Sequence, residues 1–203
     1  MTKIILIRHG ETEWNTGDVF RGRIDIGLSE TGLKQASALG EYLKNVKVDA
    51  IYSSPLKRAL ATAEEINRYH NLEIETTDGL IDYNFGEWQG MSRQDIKTKY
   101  TKLYNEWNTH PERVKTPGGE TLNDVRDRAL GFINDILDRY KGTIILVSHR
   151  VVLKVIVCTL LELDNSHYWN IELDTCGITT FTFENNRFTL IRHNDTSFMK
   201  SGY

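Results

Sequence analysis

Three short runs of aliphatic residues divide the chain, at residues 3–7, 50–53 and 143–147. None of them alternates apolar with polar positions over its length, which is typical of strands that are buried on both faces of a parallel sheet. Two later segments, residues 177–183 and 187–191, do alternate across the polar turn 184–186. They predict a hairpin that adds strands at one edge of the sheet, where a homodimer could form.

Between the strands, apolar residues recur at three- and four-residue spacing, which predicts amphipathic helices. One helix is predicted from Ser29, with Leu33 on its buried face, and another behind a Ser54–Pro55 cap. Residues 120–140 predict a third helix, and residues 151–161, which are apolar nearly all round, a deeply buried fourth. Residues 91–112, which are mostly polar, are expected to form helices that cover the core.

This alternation of strands and helices predicts one domain, residues 1–203, with a three-layer α/β/α fold and a mostly parallel central sheet. Charged residues make up 26% of the chain and hydrophobic residues 39%, which is too polar for an integral membrane protein. The formal net charge of -3 gives no bulk attraction to nucleic acid or to a membrane surface. We therefore expect neither as a partner.

Cysteine usage and the first residues of the chain bear on the compartment. The chain has two cysteines, and no charged-then-apolar leader precedes the first predicted strand. These features predict a cytoplasmic protein.

Each of the three predicted buried strands is followed by side chains that suit an anion. Arg8 and His9 follow the first strand, Arg58 lies shortly after the second, and His149 and Arg150 follow the third. Because ligands of open parallel sheets bind beyond the carboxyl ends of the strands, we expect these side chains to converge on one pocket.

Two imidazoles and several guanidiniums in one pocket suit phosphoryl transfer. Guanidinium groups bind the spread charge of a phosphate through forked hydrogen bonds, while a nucleophile attacks in line. A neutral imidazole can be that nucleophile, and the phosphoramidate it forms is labile to water. Neither a metal ion nor a cofactor is then required.

Six sequence blocks resemble the signature of the histidine phosphatase superfamily, also called the phosphoglycerate mutase-like family, and specifically its phosphatase branch. In chain order they are RHGETEWN at residues 8–15, LSETG at 28–32, YSSPLKRA at 52–59, FGEWQG at 85–90, PGGET at 117–121 and VSH at 147–149. They cover roughly the first three quarters of the chain, in the order of the family. The resemblance implies the phosphoglycerate mutase-like fold.

The resemblance also implies a role for each matched residue. His9 would be the nucleophile that becomes phosphorylated. The phosphate pocket would be formed by Arg8, Arg58 and His149, with help from Asn15.

Further residues would contact the substrate beyond its phosphate. By the same resemblance they include Arg21 and Gly22 in the loop 20–22, and the neighbourhood 82–85. Arg150 stands where many relatives have glycine, and either adds a cation for an acidic substrate or points outward.

The general acid departs from the family pattern, because Asp82 occupies the position of the usual glutamate. Its side chain is one methylene shorter. An adjacent phosphate dianion and partial burial would raise the pKa of Asp82 and allow it to protonate a leaving alkoxide. Glu87 is the competing candidate if its loop turns toward the pocket.

The sequence thus predicts a metal-independent phosphatase that hydrolyses a small phosphorylated metabolite through a phosphohistidine. One alternative is a phosphoglycerate mutase, although the resemblance implies that mutases that need a bisphosphoglycerate primer usually carry a longer insert than residues 90–117 provide. Another is a relative that binds a phospholigand without catalysis. The substrate stays open among phosphoserine, α-ribazole phosphate, sugar phosphates and phosphoglycerate.

Overall fold

A computed structural model describes residues 1–16 and 19–199, and for Asn15 and Thr16 it describes the backbone only. Within this part of the chain, a six-stranded sheet has the order β3-β2-β4-β1-β5-β6. Its strands are β1 (Thr2–Arg8), β2 (Ala50–Ser53), β3 (Ile74–Thr76), β4 (Thr143–Ser148), β5 (Ile178–Glu184) and β6 (Arg187–Asp195). Strands β1 to β4 are parallel, while β5 and β6 form an antiparallel edge.

Helices cover both faces of this sheet. They are α1 (Glu13–Thr16), α2 (Glu30–Leu43), α3 (Lys57–Asn67), α4 (Arg93–Lys99), α5 (Thr101–Thr109), α6 (Leu122–Arg139) and α7 (Arg150–Leu160). Short 3-10 turns lie at Asp78–Leu80, Gly86–Trp88, Pro111–Arg113, Asn165–Asn170 and Ser197–Met199.

Two hydrophobic cores form because successive side chains of β1 and β4 point to opposite faces. Ile5, Ile7 and Val147 pack against α2 and α3. Ile4 and Leu6 pack against α6, α7 and the segment that carries α4 and α5. This arrangement confirms the predicted three-layer α/β/α fold and explains why the strands read as continuous apolar runs.

The register of the sheet brings the three predicted junctions together. Arg8 at the end of β1 pairs with Ser148 at the end of β4. Ser53 at the end of β2 pairs with Val147, also in β4. The loops that leave these strands therefore start at one edge of the sheet, as predicted.

The structure corrects several details of the helices. Leu33, predicted to be buried, is 48% exposed, because α2 instead turns Gly32 inward against the backbone of Glu11. The predicted Ser54 cap is also wrong, because α3 begins at Lys57 with Leu56 as its N-cap residue. The Ser54 hydroxyl accepts from the Leu56 N–H at 3.3 Å, before the helix starts, and contacts the ring of His149. The pattern gave no indication of β3, whose three residues are too few for a periodic signal.

Close backbone packing at Gly32 gives a first prediction. A Cβ on residue 32 would lie 2.0 Å from the Glu11 carbonyl oxygen, so Gly32→Ala forces apart the start of α2 and the loop that follows His9. We expect the free energy of unfolding to fall by about 1–3 kcal/mol in urea denaturation.

Gly131→Ala is the matched control. Gly131 is an exposed residue inside α6, and no atom lies within 4 Å of the place that a Cβ on this residue would occupy. The same substitution should therefore raise the free energy of unfolding by up to about 1 kcal/mol, through helix propensity. Equal effects at the two sites would contradict the packing explanation for Gly32.

Candidate active site

A cleft opens at the carboxyl edge of the sheet, with a volume of about 190 Å³. Its lining combines cationic and aromatic side chains. The residues are Arg8, His9, Trp14, Val19, Phe20, Arg21, Gly22, Asp82, Phe85, Arg93, Trp107, Asn108, Arg150, Val151, Tyr168 and Trp169. Among the described residues, this lining contains four guanidiniums and one carboxylate. The cleft is therefore suited to a small ligand with more than one negative charge.

His9 lies at the base of the cleft, 2% exposed, directly after β1. Its backbone N–H donates to the Ser148 carbonyl at 3.0 Å, which ties the residue to the end of β4. Its Nδ1 lies 2.6 Å from the Gly10 carbonyl oxygen. Because a carbonyl oxygen only accepts, Nδ1 carries the proton and Nε2 keeps its lone pair. The ring is thus held in the tautomer that a nucleophile needs.

His149 lies beside His9, with ring centroids 5.1 Å apart, and is fully buried. Its Nδ1 accepts from Nε of Arg58 at 3.2 Å, since a guanidinium only donates. Nε2 therefore carries the proton and donates to the Ser54 hydroxyl at 2.7 Å. Hydrogen bonds at both ring nitrogens thus fix the orientation of the His149 ring.

Arg58 is fully buried one layer behind the cleft. Its Nη2 donates to Asp82 Oδ2 at 2.9 Å and to the Gly22 carbonyl at 2.7 Å, and its Nη1 donates to the Ile24 carbonyl at 2.9 Å. One guanidinium thus joins three parts of the site: the loop that carries Asp82, the loop that carries Gly22 and Ile24, and His149. Removing it would leave several buried acceptors without donors.

Asp82 lines the cleft with a side chain that is 11% exposed. Its Oδ1 accepts from the backbone N–H of Tyr83 at 2.8 Å, and its Oδ2 lies 3.5 Å from Nδ1 of His149. These contacts place the carboxyl group in the same cleft as His9.

Three residues that the sequence did not single out hold the backbone of Asp82. Arg23 Nε and Arg128 Nη2 both donate to the Asp82 carbonyl, at 3.1 and 3.4 Å. Glu120 bridges the two arginines, with Oε1 at 2.9 Å from Arg23 Nη2 and 3.1 Å from Arg128 Nε. Glu120 belongs to the PGGET block, which could have pointed to it. The two arginines lie in none of the six blocks and were missed.

The guanidiniums of the cleft are crowded together. Burial, followed by the nearby Arg150 and Arg21, lowers the pKa of Arg8 to about 10. Burial likewise lowers the pKa of Arg21 to about 10. Arg8 Nη1 donates to the Leu173 carbonyl at 2.7 Å, whereas its buried Nε has no hydrogen-bond partner among the described residues. A bound anion would stabilise this concentration of positive charge.

Both histidines are kept neutral by the same surroundings. Burial is the largest cause and lowers the pKa of His9 well below 6.5, with His149, Arg58 and Arg8 adding to it. Burial and then Arg58 act in the same direction on the pKa of His149. His9 consequently keeps its lone pair at a pH where an exposed imidazole is mostly protonated.

The remaining predicted residues differ in their positions. Gly22 and Arg21 line the cleft, and so does Arg150, which therefore does not simply point outward. Glu87 is exposed, does not line the cleft, and accepts from the Tyr100 hydroxyl at 2.5 Å, so the loop does not turn it toward His9. The side chain of Asn15 lies outside the described part of the chain.

Aromatic side chains form one wall of the cleft. Trp88, which lies six residues after Asp82 in the chain, does not belong to this wall: it is 0% exposed and packs in the core beside Tyr104. Trp107 and Trp169 line the cleft instead, together with Tyr168. Sequence spacing does not indicate which side of a loop a ring faces.

Membrane spans and metal sites are both absent from the part of the chain that the structure describes. None of its helices combines the length and the apolar character needed to span a membrane. Nor do these residues bring together three or more His, Cys, Asp or Glu side chains that could hold a metal ion.

Comparison with known proteins identifies the family of this site. The profile of the histidine phosphatase superfamily, branch 1, matches residues 4–196. The chain belongs to this superfamily.

Individual relatives of this histidine phosphatase agree with the assignment. Phosphoserine phosphatase 1 of Hydrogenobacter thermophilus is 36% identical over 204 residues, which cover 100% of this chain and 97% of that protein. The metal-independent phosphoserine phosphatase of Arabidopsis thaliana is 35% identical over 80% of this chain and 70% of its own.

A solved structure agrees as well. It is a histidine-to-alanine mutant of phosphoserine phosphatase from Entamoeba histolytica in complex with phosphoserine, similar with a TM-score of 0.88 and 31% identity over 98% of this chain and 100% of that chain. The predicted family and fold are confirmed, as is the reaction class of a phosphomonoester hydrolase.

Proposed function

We propose that this histidine phosphatase hydrolyses phosphoserine, with His9 as the nucleophile, Asp82 as the general acid and base, and no metal ion. The observation that carries the proposal is the His9 ring, buried, neutral and fixed by its Nδ1 contact to Gly10, in a cleft lined by four guanidiniums among the described residues. Such a site offers a lone pair to a phosphorus atom and positive charge to its oxygens.

In the first step, Nε2 of His9 attacks phosphorus and the N–P bond forms as the bond to the serine oxygen breaks. Asp82 gives its proton to the departing alkoxide, so that free serine leaves. The carboxyl group of Asp82 lines the same cleft as His9, which favours it over the outward-facing Glu87.

In the second step, water attacks the phosphohistidine, the N–P bond breaks, and Asp82 takes the proton of the water. Inorganic phosphate is released and His9 returns to its neutral form. Arg8 and Arg21, which line the cleft, would stabilise the equatorial oxygens in both transition states.

Arg58 and His149 would act from one layer behind the cleft. Arg58 holds Asp82 through the 2.9 Å contact and His149 through the 3.2 Å contact. The buried positive charge of Arg58 also lowers the pKa of both histidines and so favours their neutral forms. Asn15 is proposed to add a phosphate contact by its place in the RHGETEWN block.

Two features of the cleft favour phosphoserine as the substrate. The cleft holds about 190 Å³, which suits a small metabolite, and its surplus of guanidiniums suits a substrate that carries a carboxylate besides its phosphate. The relatives described above are phosphoserine phosphatases.

The test is to incubate the purified chain with phosphoserine and, separately, with 3-phosphoglycerate, both in EDTA. We expect stoichiometric release of serine and inorganic phosphate, and no isomerisation of 3-phosphoglycerate. Isomerisation without phosphate release would indicate a mutase. Binding of phosphoserine without turnover would indicate a phospholigand-binding protein, and either outcome would overturn the proposed function.

A further inference from the structure

Lys154 is a buried cation that the reaction above does not use. It lies on α7, four residues after Arg150, and its side chain is 0% exposed. Its Nζ has no hydrogen-bond partner among the described residues. Instead it lies 5.0 Å from the ring centroids of Tyr168 and of Trp169, which form a wall of the cleft. An ammonium in such a place is costly unless a nearby negative charge compensates it.

That negative charge is Glu172, which Lys154 shares with Arg150. Oε2 of Glu172 lies 3.8 Å from Nζ of Lys154, and Oε1 lies 3.6 Å from Nη2 of Arg150. Both distances are longer than a hydrogen bond, so neither cation is tightly paired. The Glu172 side chain is 67% exposed and free to adjust.

Arg150 is the member of this group that reaches the cleft. It lines the cleft together with His9, and its side chain is 43% exposed. Its buried Nε has no hydrogen-bond partner among the described residues. The guanidinium therefore has donor capacity that its loose contact with Glu172 does not use.

We propose that Arg150, Lys154 and Glu172 form a carboxylate subsite, in which the substrate's carboxylate pairs with Arg150 while Lys154 retains the displaced Glu172. The inference rests on the proposed function, since it assumes that the phosphate of the same molecule lies at His9. Arg150 is then the specificity-determining residue, and Lys154 is a positioning residue that acts through Glu172.

Charge balance supports this division of roles. In the free protein two cations share one carboxylate, so the three groups have a surplus positive charge. One carboxylate from the ligand would give each cation its own partner. Burial, and next Arg150, lower the pKa of Lys154 to about 8, which is consistent with a cation that lacks full compensation before the ligand binds.

The experiment compares two ligands that differ only in the carboxylate, phosphoserine and phosphoethanolamine. Their dissociation constants are measured by calorimetry at pH 7 on His9→Ala, which binds without turnover. We expect phosphoserine to bind about tenfold more tightly, which corresponds to one charge-assisted pair. In His9→Ala/Arg150→Gln this affinity ratio should fall to about one.

Two further variants separate the roles on the same background. Lys154→Met should lower the ratio at least about twofold, because Glu172 then competes for Arg150, whereas Lys154→Arg should restore it. Glu172→Gln should raise the ratio by removing the competitor. The matched control is Arg187→Gln, because Arg187 is an exposed residue at the start of β6. This substitution should leave the affinity ratio unchanged.

The outcomes distinguish this inference from the proposed function. A ratio near one in His9→Ala, or an unchanged ratio after Arg150→Gln, would overturn the subsite even if phosphoserine is hydrolysed. Because Arg150 is half exposed, its variant tests the subsite even where Lys154→Met does not fold. Failure of the proposed function would appear separately, as absence of phosphate release by the unaltered chain.

Discussion

His9→Ala is expected to reduce kcat on phosphoserine by at least about 10⁴-fold, because it removes the only group proposed to form a covalent bond to phosphorus. Binding should persist, since the guanidiniums of the cleft stay in place. The measurement is steady-state phosphate release, combined with rapid quenching of the unaltered protein and the variant on ³²P-labelled phosphoserine. The unaltered protein should trap an acid-labile, alkali-stable phosphoryl group on His9.

His110→Ala is the control for loss of a histidine. The His110 side chain is 52% exposed and pairs with Glu112 at 3.5 Å, away from the cleft lining. Its kcat should equal that of the unaltered protein. Turnover in His9→Ala that matches this control, or a phosphoryl group found on another residue, would refute the proposed nucleophile.

Asp82→Asn is expected to reduce kcat on phosphoserine by about 10²–10⁴-fold, the range of general acid–base catalysis. Asparagine keeps the shape of the side chain, and its single oxygen can still accept from the Tyr83 N–H. Its NH2 group then replaces the oxygen that accepts from Arg58, but Arg58 keeps its contacts with the Gly22 and Ile24 carbonyls, so the fold should be retained. The first turnover of p-nitrophenyl phosphate should be slowed far less, because nitrophenolate leaves without being protonated. The measurement is the ratio of the rates at which serine and nitrophenolate are released in the first turnover, before water attacks the phosphohistidine.

Glu87→Gln tests the competing acid in the same assay. Glu87 is exposed and bonded to Tyr100, so its replacement should change neither substrate's kcat. If Asp82→Asn slowed the first turnover of both substrates equally, Asp82 would not act by protonating the leaving group. A selective loss in Glu87→Gln would transfer the acid role to Glu87.

Much of the site was predictable because it follows short-range patterns. Arg8 and His9 directly follow an apolar run, and so does His149, so their place at the ends of β1 and β4 needed only the strands. Parallel strands present their carboxyl ends at one edge, which is why three loops far apart in sequence converge. The family resemblance then supplied Asp82, which lies after no predicted strand.

Contacts between distant segments were not predictable in the same way. Glu120 lies 97 residues from Arg23 in the chain, and a carboxylate in a turn block gives no indication of its partner. The same holds for Lys154, which the sequence shows only as one polar position in an apolar helix. Its exclusion from solvent depends on Tyr168 and Trp169, from a different element.

What the sequence by itself determined are the elements and the chemistry at their ends, because hydrophobic periodicity and residue type are local properties of the chain. Tertiary structure alone decided which way side chains face: Glu87 outward, Trp88 into the core, Trp169 and Arg150 to the cleft. It also decided the tautomer of His9, through a carbonyl held at 2.6 Å. Such directions depend on how separate segments pack, and packing brings together residues that no local pattern connects.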